Sequence, residues 1–413
     1  MRIRIRSSPL SRIVIVGGGQ AGGQAAARLR QNGYEGDILL IGEEALPPYQ
    51  RPPLSKQYLA GEMPIERVLL RPEAFYADKS ISLKLGTRVL GIECAEKHIT
   101  LESGETIDYD KLLLATGGRA RKLPLPGADH AAVHYLRDIS DVDAIRAKVS
   151  KGARLVIVGG GYIGLEVASV GAKLGVQVTV LEMEPRVLAR VTSKRMSAYY
   201  ESLHRERGVN IVTRAHASAF QDCGSGGVRV ECADGQSFDA DIAIIGAGIV
   251  PNVELAQAAG LDCDNGIVVD SRCQTSDANI YAAGDCTNHP NALLGRRLRL
   301  ESVPNAMEQA RVAVENLCGT DCEYAALPWF WSDQYELKLQ MAGFSAGADE
   351  EVVRGEIASN AFAVFYLKSG RIIAVESINS AREFMAARKL IESGKTVDAK
   401  QLADVDTPLR SLL

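Results

Sequence analysis

At roughly 150 residues per domain, 413 residues correspond to about 2.8 domains, enough to bury a sizeable core without disulfides or structural metal. Apolar residues make up 46% and charged residues 24%, and 47 Lys plus Arg against 51 Asp plus Glu give a net charge of −4. That balance argues against a dedicated nucleic-acid binder, and the absence of an apolar run of about 18 residues argues against a membrane span. The start, MRIRIRSSPLSR, is basic but lacks the apolar centre of a secretory signal. The eight cysteines (94, 223, 232, 263, 273, 286, 318 and 322) are scattered, with no C-x-x-C pair. They are expected to be reduced thiols of a cytoplasmic protein, and no metal site is expected.

The first element in chain order is an apolar run, Ile13–Val16, which reads as a buried parallel strand. A glycine triplet and an alanine-rich helical stretch follow, stopped by Gly33, and Asp37–Ile41 reads as the next strand. Pro-rich turns occupy LPPYQRPPLSK (46–56), and Tyr109–Ala115 is strand-like. The opening pattern then recurs. RIVIVGGGQAGGQAAARLR begins at Arg12 and RLVIVGGGYIGLEVASVGAKLG at Arg154, 142 residues later. The second copy has strands at Leu155–Val158 and Gln177–Leu181, with Gly175 stopping its helix. Further strands are expected near Gly227–Cys232 and over Ala240–Ile245. A glycine-rich stop, YAAGDC, falls at 281–286, before a helix over 305–317. The last ~90 residues hold both tryptophans, Trp329 and Trp331, and strands over Ala361–Leu367 and Arg371–Ile378, as in a separate α+β unit.

Each repeat is a βαβ unit carrying G-x-G-x-x-G. In the first, Gly17 permits the tight turn, Gly19 lets backbone approach a pyrophosphate, and Gly22 lets the helix pack on the strand. Gly159, Gly161 and Gly164 do the same in the second. An acid is required about 20 residues on, to hold ribose hydroxyls. Glu43 lies 21 residues after Gly22, and Glu182 lies 18 after Gly164. Two copies, each between strand and helix and each with its acid, point to two dinucleotide sites. Glu182 would repel a 2′-phosphate, which favours NADH over NADPH. Arg186 and Arg190 could accept that phosphate, but they read better as a solvated helix face.

Two such units followed by YAAGDC resemble the glutathione-reductase-like, two-dinucleotide-binding flavoproteins. In that superfamily the first unit binds FAD and the second NAD(P)H. Thr116-Gly117 in LLLATGG resembles the exit from the FAD domain, GAGIVPN (246–252) the return, and TSDANIYAAGD (275–285) the second FAD motif, whose aspartate binds the flavin's ribitol. YQRPPLSK (49–56), YLRDISD (135–141), RLESVPNAMEQAR (299–311) and PWFWSDQYE (328–336) narrow the resemblance to the NADH-dependent ferredoxin reductases of bacterial oxygenase systems. The fold implied is α/β, with two Rossmann-like dinucleotide-binding domains and a C-terminal α+β domain. FAD-binding segments would lie at 10–118 and 250–325, an inserted NAD-binding domain at 119–249, and the C-terminal domain at 326–413.

The resemblance implies an enzyme in which FAD takes two electrons from NADH and passes them singly to a two-iron two-sulfur ferredoxin that feeds a haem monooxygenase or ring-hydroxylating dioxygenase. Lys56 would sit near the flavin, paired with Glu166 on the helix after Gly164. FAD would also meet Ala21, Arg51, Val89, Thr116, Gly117, Arg137, Gly284, Asp285 and Val303. NADH would meet Tyr162, Ile163, Glu182 and the turn at Gly248. Trp331 is a candidate beside the flavin ring or the electron exit path, and Trp329 reads as packing. Ferredoxins of this type are acidic, so a basic face is expected, with Arg296, Arg297, Arg299, Arg311, Lys338, Arg388 and Lys389 as candidates. The region Glu43–Tyr58 holds no cysteine, which counts against thiol–disulfide exchange and NADH peroxidase activity. An NADH oxidase and an apoptosis-inducing-factor-like flavoprotein remain as alternatives. The end, LADVDTPLRSLL, is short and partly acidic, unlike a membrane anchor.

Overall fold

The computed structural model describes residues 11–224 and 226–413. The basic start at residues 1–10, and with it the first residue of the expected 10–118 segment, lies outside the described residues. The chain separates into two compact units. The first comprises residues up to 50, 65–119 and 250–328; the second comprises 51–64, 120–249 and 329–413.

The first unit is built on a parallel sheet in the order Ile280–Ala282, Lys111–Leu114, Arg12–Val16, Asp37–Ile41, Ile81–Lys84. The unbroken apolar run Ile13–Val16 within the strand Arg12–Val16 reflects burial on both faces. Ile13 and Ile15 point into one core, with Ala25, Ala26 and Leu29 of the helix Gln20–Gln31 and Ala306, Ala310 and Ala313 of the helix Val303–Leu317. Val14 and Val16 point into the other, with Leu112, Leu114 and Ile280. The small side chains let the two helices pack on the sheet and on each other.

The second unit repeats the plan. Its parallel sheet runs Asn210–Thr213, Gln177–Glu182, Arg154–Val158, Ile242–Ile245, Val133–Tyr135. The helix Tyr162–Lys173 follows its glycine turn. The single strand expected over Ala240–Ile245 is two. Ser237–Ala240 pairs antiparallel with Val228–Cys232, whereas Ile242–Ile245 joins the parallel sheet. Asp241 makes the break: its carboxylate accepts from the Arg154 backbone N–H at 2.8 Å and from the guanidinium at 2.7 Å. The same unit carries an antiparallel sheet in the order Trp329–Gln334, Leu337–Gly343, Arg371–Ile378, Ala361–Lys368, Glu350–Glu356, packed against the helix Ala381–Ser393. Among the described residues no helix is long and apolar enough to cross a membrane.

Glu376 is buried in that antiparallel sheet. Its Oε2 accepts from Thr192 at 2.5 Å and from Tyr366 at 2.9 Å, while Oε1 has no partner. Burial pushes its carboxyl up to about 7. An acid whose folded value lies above its unfolded one is stabilising while protonated and loses that contribution as pH rises. Stability is therefore predicted to fall between about pH 4.5 and 7 through this group, by on the order of 3 kcal/mol. Glu376→Gln should flatten that slope in denaturant melts across pH; an unchanged slope would contradict the assignment. In the first unit, Ala310→Leu is predicted to cost about 1–3 kcal/mol by overpacking, read as a lower melting temperature.

Candidate functional site: two glycine cradles and a buried lysine–glutamate pair

The two glycine turns show the same division of labour. Gly17 has φ of +122°, and a Cβ there would meet the Ala115 carbonyl oxygen at 2.1 Å. A Cβ on Gly22 would lie 1.9 Å from the Gly17 carbonyl oxygen, so this glycine admits the helix to the strand. In the second turn Gly159 has φ of +117°, and the hypothetical Gly164 Cβ lies 2.2 Å from the Gly159 oxygen. The middle glycines differ. Gly19 (φ −86°, ψ −163°) and Gly161 (φ −79°, ψ 178°) have ordinary extended backbone, and a Cβ on either meets nothing within 4 Å. Neither the backbone nor the fold requires glycine there. The open space faces the N-terminus of a 12-residue helix, where N–H groups and the dipole favour a phosphate. Both turns therefore fit a pyrophosphate.

The two acids differ. Glu43, after the strand Asp37–Ile41, is exposed and lies 3.8 Å from Arg88. Glu182 ends its strand buried, accepting from the backbone N–H of Gly160 at 2.7 Å and of Glu184 at 2.8 Å. It thus ties the second glycine turn to the strand end and still has lone pairs to spare. Arg186 and Arg190 are not on a helix, as expected, but in the turn before the helix Lys194–Glu206. Arg186 is held by the Ser193 carbonyl at 3.2 Å, the Ala189 carbonyl at 2.8 Å and the Ser197 hydroxyl, which commits its guanidinium to the loop. Arg190 is exposed.

Within the first unit, Gly284 (φ +92°) faces Ala21, whose Cβ would be 3.2 Å from a Cβ added to the glycine; Asp285 follows. Thr116 donates to the Asn252 carbonyl at 2.7 Å, and the Asn252 side chain donates back at 2.9 Å. Asn252 N–H also donates to the Gly117 carbonyl, so these contacts join the segment's exit and return. Val303 opens its helix beside the Ser302 cap, and Val89 packs at the rim of the core. Of the basic candidates here, Arg297 donates to the Val269 and Asn288 carbonyls, Arg299 to Glu301, and Arg311 to Glu308 and the Cys322 sulfur.

In the second unit the structure brings Lys56 and Glu166 together. Lys56 Nζ lies 2.6 Å from Glu166 Oε2, with both side chains at 10% exposure or less. The lysine follows a short 3₁₀ turn, Pro52–Ser55, and the glutamate lies in the second turn of the helix Tyr162–Lys173. Ser55 donates to the same oxygen at 2.5 Å, and Ser332 donates to Oε1 at 2.6 Å. Both serines escaped the sequence reading.

The strand Trp329–Gln334 explains the Ser332 contact. Alternate residues of a strand share a face, as do helix residues four apart. Phe330 packs on Tyr162 with ring centroids 5.1 Å apart, and Ser332 meets Glu166. Gln334 meets His204 at 2.8 Å. Trp329 and Trp331 share the other strand face, 5.7 Å apart, with Trp329 also against Phe384 and under Arg388. Lys338 and Lys389 are exposed on this unit. Ile163 is 47% exposed beside the second cradle, and Gly248 is exposed, its carbonyl accepting from Arg121 N–H. Tyr162 is half-buried with its hydroxyl against the Met341 sulfur, and desolvation of that hydroxyl pushes it well up. Arg51 donates to the Arg137 carbonyl at 2.5 Å, and Arg137 N–H donates to Asp141.

Comparison with known proteins places these features in one family. Residues 11–310 match the family model for pyridine nucleotide-disulphide oxidoreductases, and 329–413 match the reductase C-terminal model. The chain is 46% identical over 404 residues to the 5,5′-dehydrodivanillate O-demethylase ferredoxin reductase subunit of a Sphingobium species, covering 97% of each chain. It is 45% identical over 406 residues to putidaredoxin reductase of Pseudomonas putida, covering 97% of this chain and 96% of that one. Its fold matches putidaredoxin reductase in the covalent complex with putidaredoxin at a TM-score of 0.94, with 44% identity over 98% of both chains. The chain belongs to the pyridine nucleotide-disulphide oxidoreductase family, in its branch of putidaredoxin reductase-like ferredoxin reductases. It is an FAD- and NAD(H)-binding oxidoreductase. Despite the family's name, Cys273 and Cys286 are fully buried and their thiols are pushed up, the wrong direction for exchange chemistry.

The glycine geometry gives a sharp prediction. Gly19→Ala should fold with a normal melting temperature as apoprotein but bind FAD on the order of tenfold more weakly. Gly22→Ala should instead lose apoprotein stability. Wild-type FAD affinity in Gly19→Ala would contradict the cradle.

Proposed function

We propose that this enzyme carries electrons from NADH to an acidic two-iron two-sulfur ferredoxin in the cytoplasm, serving a haem monooxygenase or ring-hydroxylating dioxygenase. The buried Lys56–Glu166 pair is the observation that carries the reading, supported by the names of the relatives. FAD would be held by residues 10–118 and 250–325 and NADH by residues 119–249, with the C-terminal domain at 326–413. FAD, when bound, supplies the conversion of a two-electron donor into one-electron deliveries.

The protein's own residues would do the following. The turns at Gly17–Gly22 and Gly159–Gly164 bind the two pyrophosphates through helix N-termini. Glu43 and Glu182 take ribose hydroxyls. Thr116, Gly117, Ala21, Gly284, Asp285, Val89, Val303, Arg51 and Arg137 would contact FAD. Tyr162, Ile163 and Gly248 line the nicotinamide path. The Lys56 ammonium would stabilise the negative charge that flavin reduction brings. Glu166 holds that ammonium in place through their 2.6 Å contact. Trp331 stands beside the electron exit path. Among the basic candidates, the exposed Lys338 and Lys389 on the second unit are the better docking contacts, since Arg388 lies over Trp329 and the Arg297, Arg299 and Arg311 guanidiniums are already engaged.

Anaerobic mixing of NADH, holoenzyme and a [2Fe–2S] ferredoxin tests the reading: two ferredoxins should be reduced per NADH. NADH consumption without ferredoxin reduction, matched by oxygen uptake in air, would establish an oxidase instead. Lys56→Met is predicted to slow flavin reduction by NADH about 10- to 100-fold in stopped-flow; a wild-type rate refutes its role. Because Glu182 is fixed beside the second cradle and Arg186 is committed to its loop, kcat/KM for NADH should exceed that for NADPH by about tenfold or more. Equal efficiencies would sink this assignment.

A further inference from the structure

Glu166 is the end of a longer chain. Ser332 donates to Glu166 Oε1 at 2.6 Å, and Gln334 Nε2 donates to Ser332 Oγ at 3.2 Å. The Gln334 carbonyl oxygen, which can only accept, lies 2.8 Å from His204 Nε2. His204 must therefore carry its proton on Nε2, leaving Nδ1 to accept from the Tyr335 hydroxyl at 3.0 Å. Arg207 lies over the Tyr335 ring, 5.0 Å from its centroid, on the outer side of the chain. Ser332, Gln334 and His204 are each 1% exposed or less. Every donor points toward the carboxylate and none away from it.

Packing alone does not call for this arrangement. An apolar residue would fill position 204 without needing polar partners, and a buried imidazole must be satisfied on both nitrogens. Burial lowers its titration to about 4, so it stays neutral and keeps this one tautomer at working pH. Hydrogen bonds aligned in one direction polarise one another. Their sum points the positive end of each dipole at Glu166, which opposes rotation of the carboxylate away from Lys56.

We propose that His204 and Gln334 are positioning residues for electron transfer from NADH, acting on Lys56 through Ser332 and Glu166. The proposal rests on the reading of Lys56 as the flavin-facing cation. It requires that the chain matter only while the lysine is present.

Two measurements test it. In stopped-flow with saturating NADH, His204→Phe should lower the limiting rate of flavin reduction about three- to tenfold, with NADH affinity and FAD content unchanged. His204→Gln, which retains a donor toward Gln334, should recover most of the rate. In a Lys56→Met background, His204→Phe should add nothing; an equal loss in both backgrounds overturns the proposal. Should His204→Phe fail to fold, Gln334→Met carries the same cycle. The second measurement is independent of turnover. In ¹⁵N-histidine-labelled holoenzyme, His204 should show a neutral Nε2–H tautomer with a downfield proton, and Glu166→Gln should move that proton upfield. An Nδ1–H tautomer or an unmoved resonance overturns the chain. A slow Lys56→Met with a fast His204→Phe overturns the chain alone. A wild-type rate in Lys56→Met overturns the flavin-facing reading as well.

Discussion

A carboxylate and an ammonium buried against each other are the constraint on which the second unit is organised. Removing either charge from water costs several kcal/mol, and attraction offsets this only if the remaining lone pairs are also satisfied. Glu166 meets that demand with Lys56 and Ser55 on one oxygen and Ser332 on the other. Three separate stretches of sequence must therefore converge: the turn Pro52–Ser55, the helix Tyr162–Lys173 and the strand Trp329–Gln334. This accounts for the placement of 51–64 and 329–413 in one compact unit with 120–249. A buried pair of this kind contributes little to stability. In the proposed function its value lies in a fixed cation in a dry setting, where electrostatic effects on a neighbouring reaction are largest.

The glycine cradles follow a separate logic. Their outer glycines are demanded by the protein itself, through positive φ or a helix that would otherwise collide with the turn. Their middle glycines are demanded by nothing within the protein. A position that is open, sterically permissive and still glycine is best explained by a ligand that needs the space.

Much of this was legible in the sequence because it is local. The βαβ repeats are written in consecutive residues, so the strands Arg12–Val16 and Arg154–Val158, their helices and the glycine stops could be read directly. The Lys56–Glu166 pairing came from family resemblance, since 110 residues separate the partners and no periodicity links them. Ser332 and Gln334 lay inside a quoted motif, yet their role depends on which strand face meets the helix, and alternation alone does not select it. His204 carried no signal: a single histidine within an amphipathic helix reads as surface until its neighbours are known. Arg186 was misread for the same reason. Its bonds to Ser193 and Ala189 are to backbone carbonyls, which sequence patterns do not record.

In the proposed function, the Lys56 ammonium fixed by Glu166 makes the flavin easier to reduce. The midpoint potential of bound FAD, measured by anaerobic titration in the wild type and in Lys56→Met, tests it most directly. The account predicts a lower potential in the variant, because the reduced ring loses its cation. An unchanged or higher potential, at equal FAD content, would contradict it.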